Sequence, residues 1–311
     1  MSAGIPPIDI LPEQPVWCAP PRTMLRCSLA LVLALALVFT TTPIPTDAEL
    51  PAAVQAVFVH RPPAAPRGQP LQVLVALHGM GGNGEQFAQN ILAQADRNNW
   101  LVVAPTIAYG DWTDPAQVAR EDPALIAWLA DYLDHLQDAL GVAVKSRVLL
   151  LGHSRGAQLA HRFALFQPQR VLAVAALAAG TYTLPFDHTA DGALLRFPFG
   201  IGNLSALAGH AFSRATLIVD TQFWLGVGTE DDNPGDLPRQ WDIYLGTTRV
   251  ARAQSFQAAL RTLGARSVLV AFAGEKHVFT PAMAMRACAF LRGLDLAQSE
   301  PPVHLRAHPR F

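Results

Sequence analysis

Five residues, Gly152-His153-Ser154-Arg155-Gly156, stand between the apolar run Arg147 to Leu151 (RVLLL) and a segment whose apolar residues Ala157, Leu159, Ala160, Phe163 and Ala164 recur at helical spacing. A serine at such a strand-to-helix turn is held in strained backbone geometry, with its hydroxyl exposed above the sheet edge. The N–H of Arg155 opens the helix, so negative charge developing nearby meets an oriented donor. A capping serine in a tight turn is the plainer alternative, and the strand and helix on either side weigh against it. A hydroxyl is a weak nucleophile at neutral pH and needs a base, most often histidine, itself oriented by a carboxylate. His277, in GEKHVF just after the last apolar strand, is the candidate base, because parallel sheets place their sites in loops at the carboxyl ends of strands. His188 and His210 also follow Ser154, but no evident core strand precedes either one. Three acids, Glu230, Asp231 and Asp232, follow the run QFWLGV and its closing Gly228. Residue chemistry alone leaves the choice among them open. Upstream, His78-Gly79-Met80-Gly81-Gly82 closes another apolar run, and its glycines let backbone N–H groups approach an anion. A phosphate cradle is the other use for such a cluster, but no G-x-x-x-x-G-K-[ST] pattern is present.

The elements that would position these residues alternate. Strands are expected at Val54 to Val59, an outer strand, and at Leu71 to Leu77, Trp100 to Ala104, Arg147 to Leu151, Val171 to Ala176, Gln222 to Val227 and Ser267 to Phe272. Most are continuous apolar runs, which suit strands buried on both faces. Helices are expected from Asn83 to about Asn98, from Pro123 to Leu140, after Ser154 as far as Pro168, and from Ala253 to Leu263. Gly141 ends the second of these. Strands alternating with helices imply crossover units and a mostly parallel sheet with helices on both faces, an α/β class.

Composition narrows the partners. With 23 basic and 24 acidic side chains the formal net charge is −1, so no basic field gathers phosphate backbones and nucleic acid is not expected as a partner. Cys18, Cys27 and Cys288 fit neither a disulfide framework nor a zinc site. Cys288 sits in the apolar run AMAMRACAFL and reads as a buried inert thiol. At the N-terminus, Ser28 to Phe39 (SLALVLALALVF) follows Arg22 and Arg26 and is too short for a membrane span, so residues 1–48 read as a cleaved signal, with an uncleaved anchor as the alternative. The mature chain would start near Glu49, and Met24 is an alternative translation start. Export to the periplasm or medium is the expected location, with membrane contact only through that segment if it is retained. Residues 49–298 would form the catalytic domain. Residues 299–311, Pro-rich, would form a loosely ordered tail.

On these motifs the mature chain resembles the α/β-hydrolases, and the HGMGGN opening and GHSRG elbow resemble the secreted esterase branch that includes poly(3-hydroxybutyrate) depolymerase-like, feruloyl esterase-like and carboxylesterase-like enzymes. The resemblance implies the chain order Ser, acid, His. It places the acid three residues after the glycine closing the strand, which is Asp231, with Asp232 second and Glu230 facing away. It also implies oxyanion donors at the N–H groups of Met80 and Arg155, with no catalytic part for the Arg155 guanidinium. The family's insertion between its sixth and seventh strands, often a cap, would be about Tyr182 to Ala215. Its Phe186, Phe197, Phe199, Leu204 and Phe212 would either form an acyl pocket or pack the cap onto the sheet, and Trp112, Trp224 and Trp241 carry the same two readings, Trp224 favouring the core. The implied activity is hydrolysis of a small or polymeric carboxylic ester through an acyl-enzyme, with no metal or organic cofactor required. A peptidase or amidase on the same fold, and a non-catalytic binding protein, are the alternatives.

Overall fold

The computed structural model describes residues 51–65 and 68–299. The expected signal or anchor segment, its cleavage point and all but the first residue of the tail lie outside them. Seven strands, β1 (Val54–His60), β2 (Gln72–Leu77), β3 (Trp100–Ile107), β4 (Val148–His153), β5 (Val171–Leu177), β6 (Gln222–Gly228) and β7 (Ser267–Phe272), form one sheet in the order β1-β3-β2-β4-β5-β6-β7. Only β1 runs antiparallel to its neighbour β3; the remaining pairings are parallel. The helices are α1 (Gly84–Gln89), α2 (Leu92–Asn98), α3 (Pro115–Leu140), α4 (Arg155–Phe166), α5 (Leu204–Ala208), α6 (Arg214–Asp220), α7 (Asp242–Leu245), α8 (Arg249–Leu263) and α9 (Pro281–Ser299). Among the described residues no helix is long and apolar enough to cross a membrane.

The continuous apolar runs are central strands. Every residue of β2, β3 and β5 is buried, whereas β7, at an edge, leaves Val268 exposed. Because successive side chains point to opposite faces, the same strands feed two cores. Val73, Val75, Leu150, Phe223 and Leu225 pack with α3, α4 and α8. Leu74, Ala76, Leu149, Leu151 and Trp224 pack on the other face with α1 and with Met283, Ala284, Ala287 and Leu291 of α9.

Three helices depart from the expectation. The segment after Asn83 is two helices, because the Asn90 side chain donates to the Phe87 and Gln86 carbonyls and competes with helix continuation. The next helix begins at Pro115, capped by Asp114, and passes through Pro123, which sequence reading took as its start. The apolar run around Cys288 is the long helix α9; burial there pushes the thiol up to about 12. The insertion, placed after the sixth strand by the resemblance, here leaves the fifth of seven strands, β5, and carries α5 and α6 before β6.

Helix α4 is buried over all twelve residues, its polar ones included. Asp122, fully buried in α3, takes the guanidiniums of both Arg155 and Arg162, and Glu121 takes a second bond from Arg155 at 3.0 Å. Arg162 also donates to Thr181 and Thr183 at the root of the insertion, and Thr181 donates to Gln158. Thus α4 is tied through polar contacts to α3 on one side and to the insertion on the other. Removing one partner of such a pair strands a buried charge. Asp122→Ala is therefore expected to cost about 3–5 kcal/mol, read from the urea unfolding midpoint; a cost under about 1 kcal/mol would mean that water reaches the two guanidiniums.

Candidate active site

Strand β4 ends at His153 and α4 begins at Arg155, so the single residue Ser154 makes the whole turn, at φ 54° and ψ −117°. A non-glycine residue there is strained. Two features hold it. The Ser154 N–H donates to the carbonyl of Leu177 at the end of β5, 2.8 Å away. Glycines on either side permit the close packing: a Cβ on Gly156 would overlap the Leu77 carbonyl, and one on Gly152 would overlap the backbone of Gly156. The Ser154 side chain caps nothing in α4, which leaves its hydroxyl for another partner.

That partner is His277. Its Nε2 lies 2.9 Å from Ser154 Oγ, and its Nδ1 lies 2.8 Å from Asp231 Oδ2. A carboxylate only accepts, so Nδ1 carries the proton and Nε2 accepts from the serine hydroxyl. Of the three acids, Asp231 is the one brought to the imidazole. It is 4% exposed, while Glu230 and Asp232 are exposed on the loop. Burial disfavours the Asp231 carboxylate, but the hydrogen bond from His277 and the charge of Arg249 outweigh it and hold the carboxyl below its usual range. Arg249, at the start of α8, donates from Nη1 to Asp231 Oδ1 at 2.7 Å. Sequence reading missed Arg249. Its only sequence signal is a cation in the first turn of a helix, against the helix dipole.

The glycine-rich loop lies against the serine: a Cβ on Gly79 would sit 3.3 Å from Ser154 Cβ. Met80 and Gly81 form a turn closed by Gly82 N–H to Gly79 O at 3.1 Å, and Gly81 takes φ 68°. His78 braces this turn from beneath. Its Nε2 accepts from the Ile107 N–H at 2.9 Å, so its Nδ1–H donates to the Gly79 carbonyl at 2.6 Å. Burial lowers the His78 pKa, in keeping with that neutral form. The Arg155 N–H, first in α4, has no acceptor within its helix. The Arg155 guanidinium points the other way, to Glu121 and Asp122 and over the Tyr109 ring.

His188 pairs with Asp187 in the insertion, and His210 lies on its own backbone at Ala211. Most of the insertion's apolar side chains take the packing use, and the cavity beside the remaining one, Phe186, is lined by none of Ser154, Asp231 and His277. Phe197 packs on Phe166, and Phe199 on Trp241 and Tyr244; Leu204 is buried and Phe212 packs against the core. Phe186 instead lines an open cavity of about 550 Å³ with Leu184, Leu195, Ile243 and Tyr244. Trp224 and Trp241 are core, whereas half-buried Trp112 lies against Gly180. Among the described residues no group of three His, Cys, Asp or Glu side chains is placed to hold a metal ion.

Comparison with known proteins follows this geometry. The α/β hydrolase fold family matches residues 72–289, and the chain belongs to that family. Among solved structures, poly(aspartic acid) hydrolase-1 from Sphingomonas sp. KT-1 is similar at 20% identity and TM-score 0.57, over 76% of this chain and 92% of that one. Esterase PE8 is similar at 18% identity and TM-score 0.52, over 78% and 99%. A phospholipase/carboxylesterase from Dyadobacter fermentans is similar at 15% identity and TM-score 0.51, over 77% and 97%. These likenesses are likenesses of fold. No match is found among curated proteins.

Two histidines around the elbow are held neutral, His161 fully buried and His153 half-buried with its Nε2 shielded from solvent. His153, its ring tilted against that of His277 with centroids 5.2 Å apart, is pushed down to about 3 by burial and by the neighbouring His277, and His161 to about 3 by burial and by Arg162. In the unfolded chain a histidine titrates near 6.5. Between those values the unfolded state binds more protons, so stability is full above about pH 6.5 and falls as pH drops. Each contributes a slope of about 1.4 kcal/mol per pH unit near pH 5. Urea unfolding at pH 7, 5.5 and 4.5 should show this slope, reduced by one proton in His161→Gln; an unchanged slope in that variant would place a charged imidazole in the folded state.

Proposed function

We propose that this chain is an exported serine hydrolase that cleaves carboxylic esters through an acyl-enzyme. The observation that carries the reading is the continuous pair of hydrogen bonds from Ser154 through His277 to Asp231, 2.9 and 2.8 Å, beginning at a serine held in a strained turn. In this reading Ser154 Oγ attacks the ester carbonyl as its proton passes to His277 Nε2. Asp231 accepts Nδ1–H throughout, keeping the ring in one tautomer and stabilising the imidazolium. The N–H groups of Met80 and Arg155 receive the oxyanion of the tetrahedral intermediate. The alcohol leaves with the proton from Nε2, and water, activated by the same nitrogen, releases the acid. No step needs a metal or an organic cofactor. Export rests on the apolar N-terminal segment alone.

Short-chain p-nitrophenyl esters, set beside peptide anilides, test the reaction class. Ser154→Ala and His277→Ala should each lower kcat by about 10⁴-fold or more with the thermal transition unchanged. Asp231→Asn should lower it strongly and Asp232→Asn by less than about twofold. Anilide cleavage exceeding ester cleavage would make the chain an amidase. Failure of Ser154 to label with a fluorophosphonate would make it a binding protein on this fold.

A further inference from the structure

Arg249 stands at the first position of α8, directly after its cap Thr248, in a first turn with no acidic residue. A cation at that end faces the partial positive charge of its own helix. The side chain is nevertheless buried, 5% exposed, against an Asp231 side chain that is 2% exposed. Burying an ion pair strips both members of hydration, and apolar replacements of such pairs are often neutral or stabilising. Stability alone does not account for this placement.

The two oxygens of Asp231 are divided between two donors. Oδ1 accepts from Arg249 and Oδ2 from His277. A carboxylate held at one oxygen can turn about its Cβ–Cγ bond; held at both, its plane is set and Oδ2 stays opposite Nδ1. Arginine also remains charged at every working pH, so Asp231 has a counter-ion while His277 is neutral. The other groups interacting with the pair are His153, Tyr182 and Arg252. Half-buried His153 and buried Tyr182 are both uncharged. Arg252 is engaged by Asp242 and by the carbonyls of Gly180, Pro238 and Gly246.

We infer that Arg249 is a positioning residue that acts through Asp231, fixing the plane and charge of the carboxylate so that Oδ2 holds the His277 ring ready to accept the Ser154 proton. The inference rests on the acyl-transfer reading above, and it deepens that reading by adding a fourth member to the relay.

The test uses the full-length protein with Arg249→Met, Arg249→Lys and Arg249→Ala, read by ester kinetics and by the low-field proton resonance of His277 Nδ1–H recorded without substrate. Arg249→Met should lower kcat by about 10–100-fold, the usual cost of losing a group that orients a functional side chain, with KM within about twofold. Arg249→Lys should recover part of the loss, and added guanidinium should raise the rate of Arg249→Ala. The resonance should be present in the parent and in Arg249→Lys and be lost or displaced in Arg249→Met. An Arg249→Met kcat within about twofold of the parent, or a loss that neither lysine nor guanidinium recovers, would overturn the role. If the parent protein neither cleaves esters nor labels at Ser154, the acyl-transfer reading fails. The resonance then decides Arg249 alone, and an unchanged signal in all variants overturns its hold on the pair.

Discussion

The backbone of Ser154 is the constraint on which the rest of the structure depends. A residue with a side chain at φ 54° costs on the order of 1–3 kcal/mol and persists only where its surroundings over-determine it. Those surroundings are the three central strands. β4 delivers the serine, β5 accepts its N–H at Leu177, and β2 presents the Leu77 carbonyl against which Gly156 packs. A helix buried along its whole length then prevents the turn from relaxing. The hydroxyl consequently projects where loops after β2, β6 and β7 converge, and each of those loops contributes one part of the site.

Two buried carboxylates flank this turn and share one electrostatic logic. Asp122 lies between Arg155 and Arg162, and Asp231 between Arg249 and His277. In both, burial disfavours the charge and adjacent cationic or donor groups outweigh it. The first arrangement joins α3, α4 and, through Arg162, the insertion. The second joins the loops after β6 and β7 to the start of α8. The elbow is thus clamped from both flanks by ionic contacts, while the sheet below it is held by apolar burial.

Much of this was readable in the residues. The seven strands, the elbow between β4 and α4, and His277 follow from apolar runs, glycine spacing and position after a strand, because such signals are local in the chain. The acid required more. Glu230, Asp231 and Asp232 are chemically alike, and only the turn after Gly228 buries the middle one. The burial of α4's polar residues left no mark in the sequence, since nothing local reveals that Thr181 and Thr183 cover Arg162. Arg249 offered little more than its place against the helix dipole, because its partner is 18 residues away. The helix α9 had the right spacing, with Met283, Ala284, Ala287 and Leu291 on one face, but its smaller and sulfur-bearing residues read only as an apolar run.

Helix α9 also bears on the order in which the molecule assembles. It is the last described element to leave the ribosome, yet it covers one side of the sheet, and its Asp295 accepts a hydrogen bond from Trp100 in β3. Until it emerges, Leu172, Ala173 and Ala175 of β5 and Trp224 of β6, all in strands made before it, lack their cover. A growing chain therefore carries a greasy, unfinished surface from the making of β5 until α9 is complete. Completion of the fold is deferred until that helix is present.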